Sequence, residues 1–211
     1  MQKRIIAVDF DGALLKHRPF ELAHKRWFEL FSELLKDSSL KRYGTLKDYF
    51  PKVEEIMQRY LGDIAAEDKI RFARDVFAMV MVAEARQDDL VMDFADYLKS
   101  IKKSHALALI TTAPEGSARP ILEKLGCNEL FDMIDESPLT HKPDKKKMFK
   151  EFMRKYGKPE FYIGDGDEHI TACKELEIRT ISVNWVSKAR IKGDHDIKSV
   201  KELAKIIELQ A

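Results

Sequence analysis

The sequence predicts an α/β fold: a doubly wound parallel sheet with a second, smaller domain of α-helices. The first observation behind this prediction is a series of short apolar runs, most of which are continuous rather than alternating. They lie at residues 5–10, 106–111, 131–134, 161–163 and 180–183. Continuous apolar runs are typical of strands that are buried on both faces, as the strands of a parallel sheet are.

The second observation is a long stretch without strand signals between the first two runs. From about residue 20 to residue 100, apolar residues recur at helical spacing. A crossover between parallel strands needs only about a dozen residues, so most of this stretch is predicted to be an inserted helical domain. We assign residues 17–89 to the insertion and residues 1–16 and 90–211 to the α/β core.

The third observation is the alternation of helices with the later strands. Residues 117–125 and 145–156 have helical patterns, and each is followed by a glycine that suits the end of a helix. Apolar residues at helical spacing predict two more helices, at 90–101 and 200–207. Strands that alternate with helices favour a doubly wound sheet.

Composition excludes several classes of partner. The 37 basic and 36 acidic side chains leave a net charge of +1, which gives no electrostatic argument for nucleic acid or for a membrane surface. The apolar run before Asp9 has only four residues, 5–8, too few for a signal peptide or a membrane span. Cys127 and Cys173 have no metal-ligand spacing and are expected to be reduced thiols. We expect a soluble, cytoplasmic protein, and the oligomeric state stays open.

Two aspartates end the first predicted strand. Asp9 and Asp11 are separated by one residue, so they face the same way near the carboxyl end of the strand, where ligands of open α/β sheets bind. Gly12 then permits a sharp exit. A calcium loop of the EF-hand type is excluded, because the glycine comes fourth and a strand precedes the loop. Two close carboxylates repel each other, and burying them costs roughly several kcal/mol unless a cation is present.

Three further segments carry matching features. The run "ALALITTAPEG" ends on Thr111 and Thr112, whose hydroxyls suit phosphate oxygens. The segment "THKPDKKKMF" holds Lys142 in a loop before a proline, and "FYIGDGDEH" ends a strand on Gly164 and Asp165. Each feature alone is common in solvated loops and turns. Together with the aspartate pair, in this order along the chain, they are hard to obtain by chance.

These segments resemble the motifs of the haloacid dehalogenase-like (HAD) phosphohydrolases. "DFDGALL" resembles the first motif of the family, "LALITTA" the second, "HKPD" the third and "YIGDGDEH" the fourth. The insertion at residues 17–89 is similar to the family's helical cap, and the tail "HDIKSVKELAKII" is similar to its final strand, turn and helix. The resemblance covers essentially the whole chain and implies a Rossmann-like core.

The resemblance also implies roles for the residues of each motif. Asp9 would be the nucleophile that becomes an aspartyl-phosphate, and Asp11 would protonate the leaving oxygen and then activate water. Thr111, Thr112 and Lys142 would hold phosphoryl oxygens. Magnesium would be bound by Asp9, Asp165 and the backbone carbonyl of Asp11.

Elementary chemistry supports these roles. A carboxylate that attacks a phosphate dianion meets like-charge repulsion, which a divalent cation and a lysine reduce. An aspartate that forms a covalent intermediate is an established way to divide hydrolysis into two steps. Dehalogenating members of the family lack an acid at the position of Asp11, so its presence favours phosphate chemistry.

Two residues depart from the family pattern. Ala13 stands where threonine is commoner, and His169 stands where a second metal-site carboxylate is usual. Asp167 or Glu168 could replace that carboxylate. Alternatively, they are acidic residues in the first turn of a helix, and His169 is an ordinary packing residue.

Three residues follow the first motif directly and are candidates for substrate selectivity at the entrance of the site: His17, Arg18 and Phe20. The sequence thus predicts a capped, magnesium-dependent phosphatase of a small phosphorylated metabolite. A phosphomutase, which uses the same motifs, is one alternative. A catalytically silent binding or regulatory protein is the other, because of Ala13 and His169.

Overall fold

A computed structural model describes residues 3–44, 46–187 and 191–208 of the 211-residue chain. Its strands are β1 (Arg4–Val8), β2 (His105–Pro114), β3 (Met133–Ser137), β4 (Phe161–Gly164), β5 (Arg179–Val183) and β6 (His195–Ile197). Its α-helices are α1 (Arg18–Leu34), α2 (Leu46–Tyr60), α3 (Ala66–Glu84), α4 (Met92–Ile101), α5 (Ala118–Lys124), α6 (Lys145–Tyr156), α7 (Asp167–Glu175) and α8 (Val200–Glu208). Short 3₁₀ turns lie at Ser38–Arg42 and Gln87–Asp89.

The strands form one parallel sheet in the order β3-β2-β1-β4-β5-β6. Alternate residues of β1 pack into different hydrophobic clusters. Ile6 and Val8 join a cluster that includes residues of α4, α5 and α8, whereas Ile5 and Ala7 join one that includes residues of α6 and α7. Helices therefore cover both faces, and the predicted doubly wound α/β fold is confirmed.

Three of the five predicted strands are observed within two residues of their predicted bounds. The run at 106–111 is longer than predicted, since β2 extends to Pro114, and the run at 131–134 is displaced, since the strand there is Met133–Ser137. Phe131 is buried before the strand begins, and the backbone N–H of Asp132 donates to Leu107 O at 2.8 Å. The apolar run therefore coincides with the buried segment before β3 rather than with the strand itself, in which residues 133–136 are half-buried.

The order of the strands reverses direction at β1. From β1 the chain proceeds to β2 and β3 on one side and later to β4, β5 and β6 on the other. A crevice at the carboxyl ends of the strands is expected at such a switch point, and it is where open α/β sheets bind their ligands. Asp9 directly follows β1, and its backbone N–H donates to Ile163 O of β4 at 2.8 Å.

Between β1 and β2 lies a helical segment formed by α1, α2 and α3. Trp27 of α1 is fully buried, and its Nε1–H donates to Ala73 O of α3 at 3.0 Å. The core of this segment is continuous with the sheet's larger hydrophobic cluster. The assignment of residues 17–89 to a separate domain stays a prediction. None of the described helices combines the length and the apolarity that a bilayer span requires.

Candidate active site

Asp9 is the most heavily contacted acid at the carboxyl edge of the sheet. Its side chain is 3% exposed. Lys145 Nζ lies 3.0 Å from its Oδ1, and the Tyr162 hydroxyl donates to its Oδ2 at 2.5 Å. His169 Nδ1 lies 2.5 Å from the same Oδ2. Burial by itself would raise the pKa of Asp9, but the charges of Lys145 and His169 and these hydrogen bonds outweigh it and hold the pKa well below its usual value.

Lys145 is the lysine that reaches Asp9, and sequence reasoning missed it. It is the first residue of α6, which Asp144 caps by accepting from Lys147 N at 2.9 Å. The lysine is 6% exposed and also donates to the carbonyl oxygen of Ile110 on β2. One signal was available in the sequence. Lys145 lies three, four and seven residues before Met148, Phe149 and Phe152, which places it on the buried face of the helix.

Lys142, the predicted phosphate-binding lysine, lies elsewhere. Its Nζ is 2.6 Å from Oε1 of Glu54 on α2, and the two side chains are 57% and 47% exposed. The structure therefore brings Lys145, rather than Lys142, to the carboxylate of Asp9. The phosphate-binding role of Lys142 stays a prediction.

His17 joins the other two acids of the predicted metal site. Its Nδ1 lies 2.7 Å from Asp11 Oδ1, and its Nε2 lies 3.1 Å from Asp165 Oδ2. Hydrogen bonds to these two carboxylates raise the pKa of His17 to about 10, against partial burial. The pKa of Asp11 is raised, first by burial and also by the charges of Asp165 and Asp9, against the contact with His17.

The carboxylate of Asp165 is fixed tightly behind the first motif. Ser187 Oγ donates to its Oδ2 at 2.6 Å. Gly12 has a φ of +73°, and a Cβ added there would lie 2.1 Å from Asp165 Oδ2. A glycine is therefore required at this position, both by its backbone conformation and by the close approach of the carboxylate.

The donor set fits a hard divalent cation such as magnesium. Carboxylate and backbone carbonyl oxygens are the ligands that magnesium prefers, and Asp11 and Asp165 already converge on the two nitrogens of one imidazole. In the described residues, no three His, Cys, Asp or Glu side chains are grouped as a metal site. The predicted set needs fewer, since it takes side chains from Asp9 and Asp165 and a backbone oxygen from Asp11.

The two predicted phosphate-binding threonines lie near the end of β2, next to β1. Thr111 is buried, and its Oγ1 accepts from Ala113 N at 3.1 Å. Thr112 is half-buried, and its carbonyl oxygen accepts from Arg74 of α3 at 3.4 Å. The structure brings both threonines to the edge where Asp9 lies. Their role in phosphate binding stays a prediction.

The residues after Asp165 differ in their contacts. Oδ1 of Asp167 accepts from Ile191 N at 2.8 Å, Glu168 is exposed, and His169 contacts Asp9. A Cβ at Gly166 would lie 2.7 Å from His169 Nδ1, so the glycine leaves room for the imidazole. Of the three candidates, His169 is the one that the structure places against Asp9. Whether any of them serves a metal is a prediction.

The predicted selectivity residues other than His17 have structural contacts. Arg18 forms a bidentate ion pair with Asp89, at 2.6 and 2.5 Å. Phe20 is 8% exposed and packs edge-on against Phe10. These contacts give both residues a structural role that needs no substrate, and their role in selectivity stays a prediction.

The loop at Ala13 is braced by Trp185, whose Nε1–H donates to Ala13 O at 3.0 Å.

A family model of haloacid dehalogenase-like hydrolases matches residues 3–176 of the chain. The chain therefore belongs to this family, and the resemblance found in its motifs is confirmed, as is the prediction that the protein is a hydrolase. No curated protein matches the chain.

Solved structures match over almost the full length. One is CbbY from Rhodobacter sphaeroides in complex with xylulose-(1,5)bisphosphate, at 18% identity, 96% coverage of both chains and a TM-score of 0.67. Another is a predicted phosphoglycolate phosphatase from Haemophilus somnus, at 17% identity, 98% and 99% coverage and a TM-score of 0.66. A third is the HAD hydrolase YfnB from Bacillus subtilis bound to magnesium, at 15% identity, 98% and 99% coverage and a TM-score of 0.64. At these identities the likeness shows a shared fold.

Proposed function

We propose that the protein is a magnesium-dependent phosphatase of a small phosphorylated metabolite, acting through an aspartyl-phosphate. The observation that carries the proposal is the environment of Asp9. This carboxylate is buried, ionised and 3.0 Å from the ammonium of Lys145, at the switch point of the sheet. An anionic nucleophile with an adjacent cation is the arrangement that attack on a phosphate ester requires.

The chemistry divides into two steps. A carboxylate oxygen of Asp9 bonds to phosphorus while the bond from phosphorus to the ester oxygen breaks, and Asp11 gives its proton to the leaving alkoxide. Water then attacks phosphorus, Asp11 takes a proton from that water, and the bond between Asp9 and phosphorus breaks to release inorganic phosphate. Lys145 would reduce the repulsion between Asp9 and the approaching dianion. Its charge is 3.0 Å from the nucleophile in a buried site.

Asp9, Asp165 and the carbonyl oxygen of Asp11 would hold the magnesium ion. The ion would supply positive charge to the transferring phosphoryl group. Ser187 and Gly12 hold Asp165 in position for this role through the contacts described above. The magnesium bound to the similarly folded YfnB supports this choice of metal.

We also propose that residues 17–89 form a cap over this site. Two contacts support the cap: Arg74 of α3 reaches Thr112 O and Ser137 O at the ends of β2 and β3, and Glu54 of α2 pairs with Lys142. The segment returns to the sheet beside its own start, since Lys16 N donates to Asp89 O at 2.8 Å. A lid that covers the carboxyl edge would exclude water and select the substrate.

The two structures named for phosphorylated small molecules, phosphoglycolate and xylulose-(1,5)bisphosphate, support a metabolite rather than a protein substrate. The phosphomutase alternative rests on the same motifs. The alternative of a catalytically silent binding or regulatory protein rests on Ala13 and His169.

Hydrolysis of p-nitrophenyl phosphate, with and without magnesium, tests the proposal. We expect phosphate release that requires the metal and stops after chelation with EDTA. Absence of turnover with every divalent cation tried would favour the silent protein. Turnover that requires a bisphosphate activator would favour the mutase.

A further inference from the structure

Two arginines of the helical segment are bound in different ways. Arg18 donates from Nε and Nη2 to the two carboxylate oxygens of Asp89, at 2.6 and 2.5 Å. Arg74 of α3 donates from Nη2 to the carbonyl oxygens of Thr112 and Ser137, at 3.4 and 3.2 Å. The Nε of Arg74 is buried and has no hydrogen-bond partner among the described residues.

The charge of Arg74 is unbalanced in the part of the chain that the structure describes. The side chain is buried, with the residue 4% exposed. Burial lowers the pKa of Arg74 to about 10, and the group that opposes this is the phenol of Tyr49 rather than a carboxylate. The Tyr49 hydroxyl is itself buried and without a partner among the described residues. A buried guanidinium without a carboxylate is costly, so its presence needs an explanation.

Its position supplies that explanation. Thr112 directly follows Thr111 on β2, the strand that pairs with β1, and Ser137 is the last residue of β3. Arg74 therefore lies at the same carboxyl edge as Asp9, on the β2 and β3 side. It comes from the helical segment that we propose as the cap.

We propose that Arg74 binds a second anionic group of the substrate, so that the substrate is a phosphate monoester that also carries a carboxylate or a second phosphate. This inference rests on the proposed phosphatase function and names its substrate class. A guanidinium offers five donors in a planar fork that matches both anions in a bidentate way. Nη2 of Arg74 is engaged only by carbonyl dipoles in the described residues, and Nε is free to donate.

A purely structural role makes a different prediction. If Arg74 only fastens α3 to the sheet edge, its loss lowers stability and affects all substrates alike. If it binds the second anion, its loss changes the ratio between doubly and singly anionic substrates. That ratio is the readout of the experiment.

The experiment compares kcat/KM for two matched pairs: phosphoglycolate with ethyl phosphate, and glucose 1,6-bisphosphate with glucose 6-phosphate. We expect the wild-type enzyme to prefer the doubly anionic member of at least one pair by about 30-fold. The pair that shows the preference identifies the anion as carboxylate or phosphate. Arg74→Met should reduce this preference to roughly threefold or less, mainly through KM.

The matched control is Arg71→Met, which removes the same charge from an exposed position on the same helix and should keep the preference. If Arg74→Met does not fold, as judged by circular dichroism, Arg74→Lys replaces it. Lysine keeps the charge but loses the fork, and should lower the preference by about threefold or more. Equal rates within both wild-type pairs, or an unchanged preference in the variant that folds, would overturn the proposal.

A binding measurement separates this proposal from the catalytic one. If the wild-type protein hydrolyses no ester, the proposed function has failed, and calorimetry with phosphonoacetate and ethylphosphonate then tests Arg74 alone. Binding of phosphonoacetate that is about tenfold tighter and is lost in Arg74→Met supports the anion site. Equal binding of the two phosphonates overturns it.

Discussion

Asp9 and Arg74 are both buried charged side chains at one edge of the sheet, but their surroundings differ. The Asp9 carboxylate is contacted by Lys145, Tyr162 and His169, all within 3.0 Å. The Arg74 guanidinium donates to two carbonyl oxygens at 3.2 Å or more. The α/β core thus balances its buried charge with its own side chains, whereas the described part of the helical segment does not balance Arg74.

This difference follows from what each region is proposed to do. A nucleophile must be held in one geometry before the substrate arrives, so its partners belong to the rigid sheet and its helices. A group that selects the substrate must keep hydrogen-bond donors free for the acceptor atoms of the substrate. Substitutions in the two regions test this division.

The largest effect is expected for Asp9→Asn. The change removes the proposed nucleophile and one predicted metal ligand but keeps the size of the side chain, so kcat with p-nitrophenyl phosphate should fall by roughly three orders of magnitude or more. Circular dichroism should show an intact fold. Retention of more than about a tenth of the wild-type rate would show that Asp9 is not the nucleophile.

Lys145→Met should come next. The methionine fills a similar volume, but Asp9 loses its ion pair with the buried ammonium of Lys145. Removing one partner of a buried ion pair leaves the other charge uncompensated. We expect kcat to fall by about 10³-fold, as for the loss of a key charge-stabilising group. Steady-state kinetics with matched protein concentrations measure this. A decrease of less than about threefold would show that the contact between Lys145 and Asp9 has no part in turnover.

The third prediction concerns His24, a buried histidine in the helical segment. It packs against Tyr49 and Phe77, and burial lowers its pKa from 6.5 to about 4, against a backbone hydrogen bond to Phe20. The folded state keeps His24 neutral while the unfolded state takes up a proton below pH 6.5. Because the unfolded state binds this extra proton, the free energy of unfolding is unaffected by protonation of His24 above pH 6.5. It decreases as the pH falls from 6.5 toward 4, by on the order of 3 kcal/mol in total.

Urea unfolding at pH 7, 5.5 and 4.5 measures this loss. His24→Gln removes the titrating group, so its free energy of unfolding should fall less steeply with acid than that of the wild type. Exposed His141 provides the control, and His141→Gln should follow the wild-type curve. Parallel curves for wild type and His24→Gln would contradict the prediction.

The fold could be predicted because its signals are local. The run at residues 5–8 is apolar throughout, since alternate residues face two hydrophobic clusters. The alternation of strands with helices predicted the parallel, doubly wound sheet, but not the order of its strands. Asp9, Asp11 and Asp165 could be found because they stand at strand ends, where the parallel topology brings them together.

The remaining parts of the site depend on side-chain direction, which spacing shows less directly. Lys145 stands in a run of three lysines, and only its helical phase relative to Phe149 and Phe152 distinguishes it. Arg74 resembles any polar residue of a surface helix until the helix is placed against β2. The sequence pattern predicts Tyr162 as a buried residue of a strand and does not indicate that its hydroxyl donates to Asp9.

The smallest effect is expected for the ion pair between Lys142 and Glu54, which links the loop before α6 to α2. Both side chains are largely exposed, and such pairs contribute about 0.2–1 kcal/mol and weaken with salt. A double-mutant cycle with Lys142→Met and Glu54→Gln, measured by urea unfolding at low and high salt, should give a coupling energy in this range.

The same Lys142→Met protein also tests whether this lysine takes part in catalysis. If Lys145 is the lysine of the active site, kcat/KM should change by about threefold or less, and a decrease of about 30-fold or more would return the phosphate-binding role to Lys142.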